Sequence, residues 1–150
     1  MLNNKFLSIL RSLSNKELKA FDHFLKGLYS KQTIALRLFD FIYQYRPNFI
    51  DENLTVEQAH DDVFEKKVMD NKSRKNILNS LSDLNQWLNE FLIWQEMQKK
   101  SYEKELLLLR IYQERECKDA FFSKLKSFHK AMEKSEVNDI WHHWFQLRAH

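Results

Sequence analysis

Glycine and proline are almost missing from this 150-residue chain, which contains one of each. A chain of this length ordinarily contains about ten glycines and seven prolines. All-β folds need glycine, proline or asparagine–glycine pairs at their many turns, and nucleotide-binding α/β folds need glycine where the backbone meets phosphate. The composition therefore argues against both kinds of fold and predicts an all-α protein.

Cysteine, excess charge of one sign and long apolar runs are scarce as well. Cys117 is the single cysteine, so neither an internal disulfide nor a zinc site built on cysteine pairs is expected. The 24 Lys and Arg residues outnumber the 21 Asp and Glu residues by only three, so no global basic field indicates nucleic acid or anionic lipid. The longest apolar runs, such as residues 106–109, are far shorter than the ~20 residues that span a bilayer. The amino terminus also lacks the apolar region of a signal peptide, and we therefore expect a cytoplasmic protein.

Apolar residues at helical spacing predict about seven helices. The first dozen residues form one amphipathic pattern, and further patterns run over approximately 15–28, 32–46, 55–64 and 72–98. Three more patterns pass through Leu106–Tyr112, Phe121–Met132 and Val137–Phe145. The segments Ser14–Glu17 and Thr55–Gln58 have the form of capping boxes, in which a hydroxyl and a later side chain satisfy the first free amides of a helix.

The order of these patterns predicts an architecture. We expect residues 1–70 to form an N-terminal helical cluster and residues 71–150 to form a long helix followed by an α-hairpin array of helical-repeat character. The two parts are expected to be one continuous structural unit. The long helix carries a heptad-like apolar seam made of Ile77, Leu81, Leu84, Leu88 and Phe91. This seam is expected to hold the helix against the rest of the fold.

Aromatic residues on the last predicted helix are the first candidate for a functional surface. Trp141, Trp144 and Phe145 share one face, and Arg148 lies beside it. Since tryptophan and arginine dominate binding hot spots, we predict that these four residues contact a protein partner or further helices downstream. The apolar pattern still runs at Leu147, and the chain is therefore expected to be a piece of a longer helical protein.

A local basic cluster is the second candidate. Lys66, Lys67, Lys72, Arg74 and Lys75 fall within ten residues, at a break between two predicted helices, and Asn76 follows them. A helix, a break and a second helix that begins with basic and amide side chains are the order found in helix-turn-helix DNA readers. Asp70 is expected either to cap the long helix or to leave its amino end to a phosphate. A DNA-binding domain that uses this cluster is therefore the alternative function.

Metal binding and catalysis have weaker signals. Glu57 and His60, and likewise Asp139 and His142, place a carboxylate and an imidazole on one helical face, but carboxylate-bridged di-metal bundles need two further inward-facing glutamates. Cys117 and His129 have no reason to meet as a nucleophile and a base. We therefore predict no catalytic residue, no metal site and no cofactor.

Part of the sequence is similar to a known group of proteins. The string Leu13-Ser14-x-x-Glu17-Leu18-x-x-Phe21-x-x-Phe24-Leu25, followed by Leu38-Phe39, Pro47-x-Phe49, Leu54-Thr55-x-Glu57 and Ser80-Leu81-x-x-Leu84 with Phe91-Leu92, resembles the N-terminal region of long, uncharacterised, mostly helical proteins of Bacteroidetes-type bacteria. The resemblance implies many further helices and no catalytic residue. Together with the absence of catalytic motifs, it leads us to expect a non-enzymatic scaffold or protein–protein interaction module.

Overall fold

A computed structural model of the protein describes residues 5–65, 67–99 and 102–134. Within these ranges the chain forms seven α-helices and no β-strand, which confirms the predicted all-α fold. The helices are α1 (Lys5–Ser12), α2 (Asn15–Leu28), α3 (Ile34–Tyr43), α4 (Val56–Val63), α5 (Asn71–Gln98), α6 (Tyr102–Glu114) and α7 (Lys118–Glu133). The eighth predicted pattern, through Val137–Phe145, lies outside the described residues.

Side-chain caps determine where three of these helices begin. Ser14 Oγ accepts a hydrogen bond from the Glu17 amide at 3.2 Å, and the Glu17 carboxylate accepts one from the Ser14 amide at 2.8 Å, which confirms the predicted capping box at α2. Thr33 and Thr55 cap α3 and α4 through their hydroxyl oxygens. Of the capping box predicted at Thr55–Gln58, the hydroxyl cap is present, and the Thr55 amide donates to the Asn53 carbonyl instead of to Gln58. Each such cap contributes about 1 kcal/mol to the stability of its helix.

The main hydrophobic core is built by α1 to α5. The ring centroid of Phe21 lies 5.3 Å from those of both Phe39 and Phe91, and all three rings are buried. Helix α3 buries six of its ten residues, as expected for a helix that is apolar nearly all round. All five residues of the predicted seam of α5 are buried as well: Ile77, Leu81, Leu84, Leu88 and Phe91. The long helix is therefore an integral part of this core.

The chain divides into two compact units after Glu96. The sequence pattern placed a division near residue 70 instead, where the polar segment precedes α5. The later position follows from the seam of α5, because residues from Ile77 to Phe91 belong to the same core as α1 to α4. Only the last residues of α5 belong to the second unit.

Helices α6 and α7 pack against each other as an α-hairpin in the second unit. The Lys124 ammonium forms an ion pair with the Glu105 carboxylate, and the Tyr102 ring meets the Phe128 ring edge-on at a centroid distance of 5.7 Å. These pairs join the start of α6 to the later part of α7, so the two helices are antiparallel. Two described helices form one hairpin, and the repeat character of the array remains a prediction.

Three turns place a residue other than glycine in the left-handed region of backbone conformation, namely Phe49, Glu65 and Glu116. Glu116, with a φ of 56°, ends α6. There the Cys117 amide donates to the Tyr112 carbonyl at 2.9 Å and the Glu116 amide donates to the Gln113 carbonyl at 3.1 Å, a Schellman motif whose left-handed position is usually glycine. The single glycine, Gly27, lies instead inside α2, where an added Cβ would meet open space.

Placing glycine at residue 116 and alanine at residue 27 is expected to stabilise the protein. We expect Glu116→Gly and Gly27→Ala each to raise the free energy of unfolding by about 0.5–1 kcal/mol, because the first relieves left-handed strain and the second removes the entropic cost of glycine in a helix. Urea denaturation of the two variants measures both changes. Gln113→Gly, one turn earlier in α6, is the control and should destabilise by about 1 kcal/mol. A loss of stability in Glu116→Gly as large as that in Gln113→Gly would contradict the left-handed conformation of Glu116.

Candidate functional site

The predicted basic cluster lies at the loop that joins α4 to α5 and in the first turn of α5. Lys67 is exposed in the loop, and Lys72, Arg74 and Lys75 are exposed on the helix, whereas Asn76 is half-buried. Lys66 lies outside the described residues. The structure therefore brings the basic side chains to one end of α5.

Asp70 caps this end of α5 with a carboxylate. Its Oδ1 accepts a hydrogen bond from the Ser73 amide at 2.6 Å, and Ser73 Oγ accepts one from the Asp70 amide at 3.0 Å. The hydrogen bonds from Ser73 lower the pKa of the Asp70 carboxyl below its ordinary value. The amino end of α5 thus already holds a negative group, which agrees with the expectation that Asp70 caps this helix. The carboxylate competes with any phosphate for the same amides.

The cap makes stability depend on pH in a defined direction. Since the pKa of Asp70 is lowered on folding, its charged form stabilises the fold above the unfolded-state pKa, and that stabilisation is lost as the pH falls through the folded-state value. Asp70→Asn keeps a capping oxygen but does not titrate. We expect the difference in urea midpoint between the native protein and this variant to be largest at pH 7 and to shrink below about pH 4. A difference that does not change with pH would contradict this role of the carboxylate.

Acidic side chains of α4 accompany the basic cluster. The Arg74 guanidinium lies 3.9 Å from the Glu57 carboxylate, with both side chains more than half exposed. Asp61 and Asp62 are also exposed on α4. The surface around the start of α5 therefore carries charges of both signs, which differs from the continuous basic stripe typical of DNA-binding helices.

His60 joins α4 to the capping residues of α5. Its side chain is buried, its Nε2 lies 2.8 Å from Ser73 Oγ, and its ring packs at a tilt against that of Phe64 at a centroid distance of 4.8 Å. Nδ1 is buried without a hydrogen-bond partner, and Asp61 Oδ1 lies 3.9 Å from it. Ser73 Oγ also accepts from the Asp70 amide, so the hydrogen bond between His60 and Ser73 ties α4 to the capping residues of α5.

The carboxylate–histidine pairs are not assembled into a metal site in the described part of the chain. Glu57 points toward Arg74, whereas the His60 ring is directed at Ser73. Among residues 5–65, 67–99 and 102–134, no three His, Cys, Asp or Glu side chains come close enough to hold a metal ion. Asp139 and His142 lie outside these ranges.

An exposed aromatic surface occurs near the end of α5. The Trp94 side chain is 52% exposed, and its ring lies 6.3 Å from that of the half-buried Phe24. Its neighbour Ile93 is 60% exposed. Both residues follow Phe91, the last buried residue of α5.

The α6–α7 hairpin exposes as many large apolar side chains as it buries. Its buried side chains, within the described residues, are Leu109, Phe128 and Met132. Three large apolar side chains of the hairpin are exposed instead: Leu107, Ile111 and Phe122. A hollow of about 430 Å³ borders Phe122 at the turn between the helices, and it is lined by Tyr112, Gln113, Glu116, Lys118, Phe121 and Phe122.

Phe122 is a surface residue that the sequence pattern assigned to the apolar face of α7. Adjacent Phe121 and Phe122 cannot both face the same neighbour on a helix, and the spacing to Phe128 and Met132 favours Phe121. The residues four positions before and after Phe122 are Lys118 and Lys126, which mark a solvent-exposed ridge. This flanking charge is the signal in the sequence that identifies Phe122 as exposed.

The predicted partner-binding residues Trp141, Trp144, Phe145 and Arg148 lie outside the described residues. Comparison with known proteins gives no further assignment, because no protein-family model, curated protein or solved structure matches the chain. No helix among the described residues is long and apolar enough to cross a membrane.

Proposed function

We propose that this protein is a non-enzymatic helical scaffold or protein–protein interaction module. The observation that supports the proposal is the surface of the α6–α7 hairpin, which exposes as many large apolar side chains as it buries. Apolar groups that share a face and remain in water favour a role in association. In stacked α-hairpins such faces are covered by the neighbouring hairpin or by a ligand.

The surface available to a partner consists of two patches. The first is the end of α5, with Ile93 and Trp94, and the second is the hairpin, with Leu107, Ile111 and Phe122. Trp94 is the strongest single anchor, because tryptophan combines a large apolar area with few rotatable bonds. Contacts by the Trp141–Arg148 segment, the resemblance to long helical bacterial proteins and a cytoplasmic location are parts of the same proposal.

Binding measurements with surface variants test this function. The full chain is immobilised, and a protein that it captures is identified and purified. Calorimetry then measures the affinity of this protein for the native chain and for two double variants. One variant combines Trp94→Ser with Ile93→Ser, and the other combines Leu107→Ser with Phe122→Ser. We expect at least one of these pairs to weaken binding by about tenfold or more. The control pair Lys16→Ser with Lys19→Ser removes exposed charged side chains of α2 and should leave the affinity unchanged.

Two results would contradict the proposal. One is a captured protein that binds every surface variant with native affinity. The other is a chain that captures nothing and remains monomeric even though its apolar patches are intact. Circular dichroism of each variant confirms that the helices are retained.

DNA binding by the α5 amino end is the alternative function, and the exposure of Lys67, Lys72 and Lys75 favours it. The Asp70 cap and the Arg74–Glu57 pair favour the interaction module instead. We expect fluorescence anisotropy with a labelled DNA duplex to show only weak binding that disappears as salt is raised from about 50 to 200 mM. Tight binding at about 50 mM salt that falls steeply as salt is raised and is abolished by Lys72→Ala, Arg74→Ala and Lys75→Ala together would establish the alternative.

A further inference from the structure

Helix α7 presents a ridge of exposed residues spaced four positions apart. Starting from Lys118, this ridge contains Phe122, Lys126 and Lys130 and continues to Lys134 at the C-cap, and every one of them is exposed. Steps of four residues advance about 6 Å along a helix, so an ammonium group flanks the Phe122 ring on either side along the axis. Asp119 and Glu133 lie beside the ridge and not on it. The ridge therefore combines positive charge with one apolar group.

Phe122 is the most suitable anchor on this ridge. Its side chain is 64% exposed, and its ring meets that of Phe121 edge-on at a centroid distance of 5.5 Å. The hollow that it borders has Tyr112 and Phe121 as further aromatic lining, and its charged lining residues are Lys118 and Glu116. An apolar side chain that enters this hollow from a partner would contact three aromatic rings, and a carboxylate beside it would meet Lys118.

The chemistry of the ridge selects among possible partners. A membrane surface would require the apolar face of α7 to insert, but Phe128 and Met132 on that face are buried in the hairpin, which leaves one phenylalanine for insertion. A protein helix is a closer fit, because its side chains have the same spacing of about 6 Å for every four residues. Glutamates on both sides of an apolar residue would then align with Lys118 and Lys126.

We infer that the α7 ridge centred on Phe122 is a docking face for an acidic amphipathic helix of a partner protein. This inference rests on the proposed interaction function and specifies the chemistry of the partner. The apolar residue of that helix occupies the hollow beside Phe122, and carboxylates four residues before and after it pair with Lys118 and Lys126. Charge attraction also predicts that binding weakens as the salt concentration rises.

A synthetic helix tests the inference with the full chain. The probe is a fluorescein-labelled, alanine-based peptide with a central leucine and glutamate four residues away on each side, and its control has lysine in place of both glutamates. We expect fluorescence anisotropy to show binding of the acidic peptide and none of the lysine peptide. Phe122→Ala should weaken binding by about tenfold or more, and Lys118→Glu with Lys126→Glu should abolish it. Lys16→Glu with Lys19→Glu, on α2, should have no effect.

Three outcomes would overturn the inference. The first is that the acidic peptide does not bind the native chain, and the second is that it binds Phe122→Ala and Lys118→Glu with Lys126→Glu as tightly as it binds the native chain. The third is that single-stranded oligothymidine or anionic phosphatidylserine vesicles bind more tightly than the peptide. These outcomes differ from a failure of the proposed function. A natural partner that is lost in the Trp94 variant but retained in Phe122→Ala would leave the interaction module intact and remove only this docking face. If no natural partner is found but the acidic peptide still binds, the proposed interaction function is contradicted, whereas the chemistry of the docking face is supported.

Discussion

Replacing Phe91 by alanine is expected to destabilise the first unit by about 3–5 kcal/mol, which is the usual cost of removing a buried aromatic ring. Phe91 is fully buried, and its ring centroid lies 5.3 Å from that of Phe21 and 5.5 Å from that of Phe24. The substitution leaves a cavity between α2 and α5 that neither helix closes without moving. Amide hydrogen exchange of peptides from α2, α3 and α5 measures the loss and separates it from opening of the second unit.

Trp94 provides the matched control, because it lies three residues later on the same helix and is half-exposed. We expect Trp94→Ala to change the stability by about 1 kcal/mol or less, as is usual for residues outside a core. If both substitutions cost the same, the described division between a buried Phe91 and a surface Trp94 is incorrect. The comparison also establishes that loss of binding in Trp94 variants is not caused by unfolding.

His60→Ala is expected to have the second-largest effect, a destabilisation of about 2–4 kcal/mol. The substitution removes a buried ring from its contact with Phe64 and breaks the 2.8 Å hydrogen bond between the ring and Ser73 Oγ. The expected consequence is a looser connection between α4 and the start of α5. Urea denaturation of the full chain measures the change, and His23→Ala, at an exposed position of α2, is the control that should have no effect.

A double-mutant cycle isolates the contact between His60 and Ser73. We expect the combined substitution His60→Ala with Ser73→Ala to cost about 1 kcal/mol less than the sum of the single substitutions, because each single change already breaks the hydrogen bond. Strictly additive effects would show that the two side chains contribute independently. The hydrogen bond that the Asp70 amide donates to Ser73 Oγ is lost in both arms that contain Ser73→Ala and therefore cancels.

Helix positions and the seam of α5 were predictable because the information is local. The capping box at Ser14 and the hydroxyl cap at Thr55 are encoded within four residues of sequence, and the buried residues from Ile77 to Phe91 repeat at a regular helical spacing. The faces of α6 were not predictable in this way. Its run of four leucines from Leu106 to Leu109 covers every side of the helix, and only tertiary contact determines that Leu109 is the buried one.

The candidate sites were predictable only in part. The Asp70 cap depends on residues only three positions apart, and it was one of two expectations for the amino end of α5, the other being a bound phosphate. The contact of His60 with Ser73 crosses a loop whose path no periodic pattern encodes, so the interpretation of His60 as a metal-ligand candidate overlooked its partner. The apolar pattern through Phe121–Met132 contains Phe122, and only its flanking lysines indicate that it is exposed.

The thin interior of the α6–α7 hairpin has a thermodynamic consequence. With three apolar side chains buried, this segment gains little free energy from closing, and it is expected to open locally in water before the five-helix core does. Any ligand that binds only the closed hairpin then raises its opening free energy in proportion to the logarithm of ligand concentration. Slower amide exchange in α6 and α7 is therefore a direct measure of how fully the hairpin is occupied.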